Sequence, residues 1–299
     1  MDARARTPAA LGSATCWEEL LGLEVSQRFY DAGGIRTRCI ETGTGPCLIF
    51  LHGTGGHAEA FIKNLHTHGR RFRTIALDMI GHGFTEKPDL DYTPAVYARH
   101  LRDFMDAAGI ERAHVHGESL GAWVAAWFAL EYPDRVERLV LNTAGGLRSD
   151  PTVMAKVRDS TLEAVRNVTR ETVRRRLEWL VFDKASMTDE MVAIRHRIYS
   201  QPGMVPAMEH VLCLQDEATR RPYLLTPDRL SKIHHRTLVL WTSHDPTAPV
   251  EIGREAARHI PDSEFVVMDE CGHWPQFEKP DEFNRIHLNF LVTGSTLGA

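Results

Sequence analysis

The hydrophobic pattern changes character along the chain. Two short β-like runs open it, Val25 to Tyr30 and Ile35 to Glu41. They are joined by Asp31-Ala32-Gly33-Gly34, whose two glycines supply the positive φ of a tight turn, so the pair predicts a hairpin. Compact apolar runs follow at Cys47 to Leu51, Arg73 to Leu77, Ala113 to His116 and Arg138 to Leu141, and much later at Thr237 to Trp241 and Glu264 to Met268. Unbroken Val/Ile/Leu runs without alternation suit strands buried on both faces of a parallel sheet.

The segments between these runs read as helices. Thr93 and Pro94 form an N-cap and first-turn pair, Tyr97, Leu101, Phe104, Met105 and Ala108 recur at helical spacing, and Gly109 ends the run. Ser119 to Glu131 fits a buried helix; Arg254 to His259 and Phe283 to Leu291 supply later ones. An antiparallel start followed by alternating strand and helix predicts an α/β protein with an eight-stranded, mostly parallel sheet flanked by helices.

The stretch from about 147 to 230 breaks this alternation. It holds no convincing strand, and the segment Arg158 to Leu180 reads as one arginine-rich helix with Val173, Leu177 and Leu180 on one face. The expected organisation is a leader at 1–24, partly disordered, a core in two parts at 25–146 and 231–299, and an inserted helical cap at 147–230.

Composition narrows the class. The chain has 299 residues, 43% hydrophobic and 25% charged, which suits a globular protein and excludes a disordered one. A formal charge of −5 offers no basic field for nucleic acid or an anionic membrane. The apolar stretch Ala122 to Leu130 is far shorter than a bilayer span, and Met1 to Thr15 has neither an apolar core nor a cleavage signal. Cys16, Cys39, Cys47, Cys213 and Cys271 form an odd set without a CxxC pair, which favours reduced thiols and a cytoplasmic location. The expected partner is a small hydrophobic molecule; self-association stays open.

The most specific chemical signal is Gly117-Glu118-Ser119-Leu120-Gly121, which follows a strand and opens a helix. A serine at the head of a strained strand-to-helix turn needs small flanking residues, hence glycine on both sides. Its hydroxyl is a weak nucleophile until a base, itself oriented by an acid, takes the proton. Asp245 and His273 follow in the chain order serine, acid, histidine, each on a loop after a predicted strand. Asp78 is a rival acid but precedes the serine, and reads as structural. Oxyanion donors are expected from the amide of Leu120 and from the loop His52-Gly53-Thr54-Gly55-Gly56, with Thr54 preferred to Gly55. The pairs His66/His68, His114/His116 and His234/His235 lack the carboxylates of a metal site, and Arg174-Arg175-Arg176 reads as a solvated helix face.

Taken together, HGTGG, GESLG, the Asp245 loop and GHWPQFEKP resemble the α/β-hydrolase superfamily across residues 25 to 292, and the strandless block corresponds to its helical lid. A narrower resemblance is to the meta-cleavage product hydrolases, carried by Gly272-His273-Trp274-Pro275-Gln276-Phe277-Glu278 and by Pro280-Asp281-Glu282-Phe283-Asn284. It implies a serine hydrolase that cuts a carbon–carbon bond in a 2-hydroxy-6-oxo-hexa-2,4-dienoate without metal or organic cofactor. It further implies that Trp274 lines the substrate pocket and that Arg195, in Met187 to Arg195, holds the dienoate carboxylate. Glu118 stands where that family often has a substrate-contacting asparagine, and HGTGG replaces HGGGPG. A plain carboxylesterase for small or aromatic esters needs the same triad and is the alternative.

Overall fold

The computed structural model describes residues 15–297. Eight strands form one sheet in the order β1-β2-β4-β3-β5-β6-β7-β8. They are β1 Val25–Ala32, β2 Ile35–Thr42, β3 Cys47–Leu51, β4 Arg73–Leu77, β5 Ala113–Glu118, β6 Val136–Asn142, β7 Thr237–Thr242 and β8 Ser263–Met268. β1 pairs antiparallel with β2 and β2 antiparallel with β4, and every later pairing is parallel. The expected sheet is therefore present. β3 and β4 keep the boundaries read from sequence; the others gain residues at their ends.

The apolar runs alternate between two helical layers. Leu48, Phe50, Ala76, Val140, Leu238 and Leu240 share a core with the helices Ile62–Gly69 and Pro280–Thr293. Ile49, Leu51, Ile75, Leu77, Val115 and Val239 share the other with the helices Pro94–Ala107 and Leu120–Glu131. Because both faces are covered, β3, β5 and β7 are buried along their whole length; β3 and β7 accordingly lack polar alternation, whereas β5 buries His114, His116 and Glu118.

Between β6 and β7 run the helices Pro151–Arg166, Arg170–Glu178, Asp189–Tyr199 and Met204–Val211 with shorter turns. The first two replace the single helix expected over 158–180. Asn167 leaves helical geometry at ψ 70°, and Thr169 starts a new helix from extended backbone by accepting Thr172 N at 3.1 Å. These helices bond to loops at the carboxyl ends of the strands: Tyr199 Oη donates to Gly55 O at 3.0 Å and His273 N to Leu180 O at 2.6 Å.

Of the leader expected over 1–24, positions 1–14 lie outside the described residues. The remainder carries a four-residue helix, Cys16–Glu19, capped by Thr15. Cys16 N donates to Glu190 Oε2 at 2.6 Å, tying this segment to the inserted helices rather than leaving it loose.

Candidate active site

β5 ends at Glu118 and a helix begins at Leu120, so Ser119 alone makes the turn, with φ 55° and ψ −114°. A non-glycine residue held there costs about 1–3 kcal/mol, so its surroundings must over-determine it. They do: Ser119 N donates to Asn142 O at 3.0 Å, and Ser119 O accepts Ala122 N, Trp123 N and Gly145 N at 3.0–3.1 Å. A Cβ on Gly117 would lie 2.1 Å from Gly121 O, and one on Gly121 would lie 2.2 Å from Leu51 O. Both glycines are therefore required by close backbone approach.

The loops after β7 and β8 bring Asp245 and His273 together. His273 Nδ1 lies 2.9 and 3.0 Å from the two Asp245 oxygens, and both side chains are buried. Asp245 Oδ1 also accepts Thr247 N at 2.8 Å and Thr247 Oγ1 at 2.7 Å, which fixes the carboxylate. Burial opposes protonation of His273, but the Asp245 charge and hydrogen bond outweigh it and raise its pKa above the ordinary value. Glu278 holds the histidine loop by accepting Gly272 N and Trp274 N at 3.1 Å and Phe182 N at 2.8 Å.

The other ring nitrogen has an unexpected neighbour. His273 Nε2 lies 3.3 Å from Glu118 Oε1, and among the described residues Ser119 Oγ enters no hydrogen bond. Glu118 is itself buried, and burial pushes its pKa up to about 7. A carboxyl group thus stands beside the base and next to the serine in the chain.

Ser119 lies where two cavities meet. The larger, about 710 Å³, is lined by apolar groups including Trp123, Val153, Met154, Val211 and Ile252, and also by Arg148, Asp150 and Arg220. The smaller, about 330 Å³, is lined by Glu118, Arg176 and His273 together with Trp274 and Trp179. Thr54 lines both cavities, Leu120 lines the larger one, and Gly55 lines neither. Gly55 instead presents its carbonyl to Tyr199 Oη.

Arg195 is buried but does not line either cavity. Its guanidinium carbon sits 5.5 Å from the Trp274 ring centre and 5.4 Å from that of Tyr199, and Nη1 donates to Tyr199 Oη at 3.2 Å. Arg176 corrects the expectation of a solvated arginine run. Arg174 and Arg175 pair with Asp189 and Glu163 near the surface, whereas Arg176 is 5% exposed. The signal was legible: Val173, Arg176, Leu177 and Leu180 follow the i, i+3, i+4, i+7 pattern of one helix face, so Arg176 belongs to the apolar stripe.

Asp78 is committed elsewhere. It accepts Ala58 N at 2.7 Å, Phe84 N at 2.8 Å and Arg38 Nη1 at 3.0 Å, which pins the loop after β4. His68 and His116 meet His287 in the core, and among the described residues no group of three or more His, Cys, Asp or Glu is placed to hold a metal ion.

A protein-family model described as alpha/beta hydrolase fold matches residues 46–280. The chain is 32% identical over 263 residues to the 2-hydroxy-6-oxo-6-phenylhexa-2,4-dienoate hydrolase of Comamonas testosteroni, covering 84% of this chain and 89% of that one. It is 33% identical over 279 residues to the 2-hydroxy-6-oxononadienedioate/2-hydroxy-6-oxononatrienedioate hydrolase of Burkholderia vietnamiensis, with coverage of 87% and 92%. Among solved structures it is similar to the meta-cleavage product hydrolase of Pseudomonas fluorescens IP01 complexed with acetates, at TM-score 0.78 and 29% identity, covering 90% of this chain and 98% of that one. With the elbow, the buried Asp–His pair and these likenesses in hand, the chain belongs to the α/β-hydrolase fold family and is an enzyme of the meta-cleavage product hydrolase type.

Proposed function

We propose that this enzyme hydrolyses the carbon–carbon bond of a 2-hydroxy-6-oxo-hexa-2,4-dienoate, a ring-opened product of aromatic degradation, releasing a carboxylic acid and a 2-hydroxydienoate. The observation that carries this reading is the position of Ser119, beside the buried Asp245–His273 pair, at the junction of two cavities that both carry charged side chains. A dienoate has two ends to place: an acid end with its hydroxyl, and an acyl end on the far side of the scissile bond. An apolar cavity alone serves an ester equally well, whereas buried charged groups lining the space beside the nucleophile fit an acid end.

The residues divide the work as follows. His273, held by Asp245, takes the proton of the dienol and returns it to carbon, so that the bond to be cut becomes the α-bond of a ketone. His273 then accepts the proton of Ser119 or of water as the oxygen attacks the 6-oxo carbon. The oxyanion formed there is met by the amides of Leu120 and Thr54, with Gly55 left to anchor Tyr199. The C–C bond breaks with its electron pair delocalised into the dienolate, which is protonated, and water frees the acyl group from Ser119 when the serine has attacked. One water is consumed per bond cut.

In this reading Glu118 and Trp274 contact the acid end, and Arg195 braces the wall formed by Trp274 and Tyr199. The helices between β6 and β7 act as a lid whose identity sets the substrate. All five cysteines are free thiols, which suits the reducing cytoplasm.

Steady-state turnover of a ring-fission dienoate and of p-nitrophenyl esters by purified protein tests the proposal. Dienoate cleavage abolished by Ser119→Ala is the expected result. Ester turnover without dienoate cleavage would replace it with a carboxylesterase.

A further inference from the structure

The proposed reaction moves a proton twice between separated atoms. The hydroxyl proton of the dienol leaves an oxygen at the acid end, and a proton arrives on the carbon beside the scissile bond. When that bond breaks, its electron pair returns along the conjugated chain, and the same oxygen must be protonated to give the 2-hydroxydienoate. His273 has only Nε2 for this traffic, because Nδ1 is held by both Asp245 oxygens at 2.9 and 3.0 Å. Nε2 must also serve Ser119 at the far end of the reacting segment. One ring nitrogen is asked to reach both ends.

Glu118 stands where a second proton carrier is needed. Its Oε1 lies 3.3 Å from His273 Nε2, yet both carboxyl oxygens are buried without a hydrogen bond. A glutamate kept only for the fold would be paired, since an unsatisfied buried carboxyl is costly. Glu118 lines the smaller cavity together with Ser119, His273 and Trp274. Gly53 makes the room: a Cβ there would fall 2.6 Å from Glu118 Oε2 and 3.0 Å from Ser119 Cβ. A carboxyl group has two oxygens, so it takes a proton on one and releases a proton from the other.

We propose that Glu118 is a further catalytic residue whose carboxyl group relays protons between the substrate's 2-hydroxyl oxygen and His273 Nε2. This assignment rests on the dienoate reading above. In ketonisation the substrate O–H bond breaks toward one Glu118 oxygen, the other oxygen releases a proton to Nε2, and His273 places that proton on carbon as the C–H bond forms. The electron pair left on oxygen becomes part of the ketone C=O, and two carbon–carbon double bonds become one. On cleavage the direction reverses. His273 then holds the proton taken from Ser119 or water, and the pair from the broken C–C bond shifts to the oxygen. Glu118 protonates that oxygen from one side and takes the Nε2 proton on the other. Glu118 ends as it began, and His273 is again neutral.

The surroundings keep Glu118 able to do both. Burial pushes its pKa up to about 7, opposed by His273, the Gly53 main chain and Arg195, while Asp245 behind His273 adds to the rise. Arg176 lines the same cavity from the inserted helices. An acid–base group works best when its pKa lies near the operating pH.

Deuterium uptake from D2O at carbon 5 of 2-hydroxyhexa-2,4-dienoate, followed by proton NMR with Ser119→Ala protein, tests the relay without bond cleavage, because this compound lacks the 6-oxo group. The protein is expected to speed exchange above the enzyme-free rate. Adding Glu118→Gln should slow the protein-dependent exchange about tenfold or more, and Glu118→Asp, a shorter acid, should keep part of it. In protein with Ser119 intact, Glu118→Gln should cost p-nitrophenyl acetate hydrolysis, which needs no tautomerisation, several-fold less than it costs exchange. Absence of protein-dependent exchange, exchange indifferent to Glu118, or equal losses on exchange and ester would each overturn the relay. Glu118-dependent exchange in a protein unable to cleave a 6-oxo dienoate would remove the C–C reading and leave the relay standing. Cleavage of that dienoate with exchange indifferent to Glu118 would do the reverse.

Discussion

Two buried histidine assemblies sit on the same strand and have opposite characters. In the first, His68 Nδ1 lies 2.8 Å from Asn64 O, His68 Nε2 lies 2.8 Å from His287 Nδ1, and His287 Nε2 lies 3.1 Å from His116 Nδ1. Neutral rings bonded in series pair their nitrogens except His116 Nε2, Phe50 and Phe283 pack against them, and burial lowers all three pKa values. In the second, two residues along β5, Glu118 and Arg176 retain unpaired polar atoms and line a cavity together with His273. His273 and Glu118 both shift upward. Burial is common to both. What distinguishes the site is that its polar groups line a cavity and include charged side chains, whereas the core rings are neutral and closed in by aromatic packing.

The sharpest way to break this comparison is at Ser119. Ser119→Ala should lower kcat by about a thousandfold or more while the folded protein stays intact, measured by steady-state rates alongside thermal melting. Loss of folding with loss of rate would make Ser119 part of the scaffold, like the core histidines.

The converse substitution is His287→Leu. It removes two hydrogen bonds and leaves His68 and His116 with unpaired nitrogens, so unfolding free energy should drop by about 1–3 kcal/mol per stranded group. kcat should change by less than about twofold; a large kcat effect would couple the core cluster to the site.

The pH dependence of stability follows from His68 of this cluster and from two buried histidines outside it, His82 and His100. His68 is held down to about 4, and His82 and His100 to about 3. These groups are neutral when folded and charge more readily when unfolded, so their contribution is present above about 6.5 and is lost as pH falls toward 4. Denaturation measured across that window should show a slope of roughly three protons or more taken up on unfolding. A flat profile would mean that the buried histidines are protonated in the folded state.

The smallest expected effect concerns the catalytic base. His273 must be neutral to accept a proton, and the raised pKa puts the acid limb of kcat/KM above 6.5. The Glu118 charge contributes to that rise, so Glu118→Gln should move the limb toward 6.5 by a fraction of a unit. A shift in the other direction would show that Glu118 does not reach His273 as a charge.

Much of this was legible in the chain. Compact apolar runs marked the strands of the parallel part and a glycine turn marked the antiparallel hairpin that opens the sheet, and Gly117 and Gly121 marked the elbow because no Cβ fits there. The order serine, acid, histidine singled out Ser119, Asp245 and His273 among 16 histidines and 40 acidic residues. Other features needed distance. Nothing local says that Asp78 is consumed by Arg38, Ala58 and Phe84, or that Glu278 clamps the histidine loop, since each partner comes from another element.

Arg176 and Arg195 show the boundary most clearly. Helical periodicity puts Arg176 on the apolar face beside Val173 and Leu177, which is a property of the sequence, but an arginine triplet reads first as a solvated face. Only the packing of the inserted helices against the strand ends decides that Arg176 lines the smaller cavity at Ser119 while Arg195 lies against Trp274 and Tyr199. Side-chain type, spacing and backbone freedom are local quantities and so determine strands, the elbow and the order of the triad. Which buried charge meets which depends on contacts between residues far apart in the chain, and that the tertiary structure alone decides.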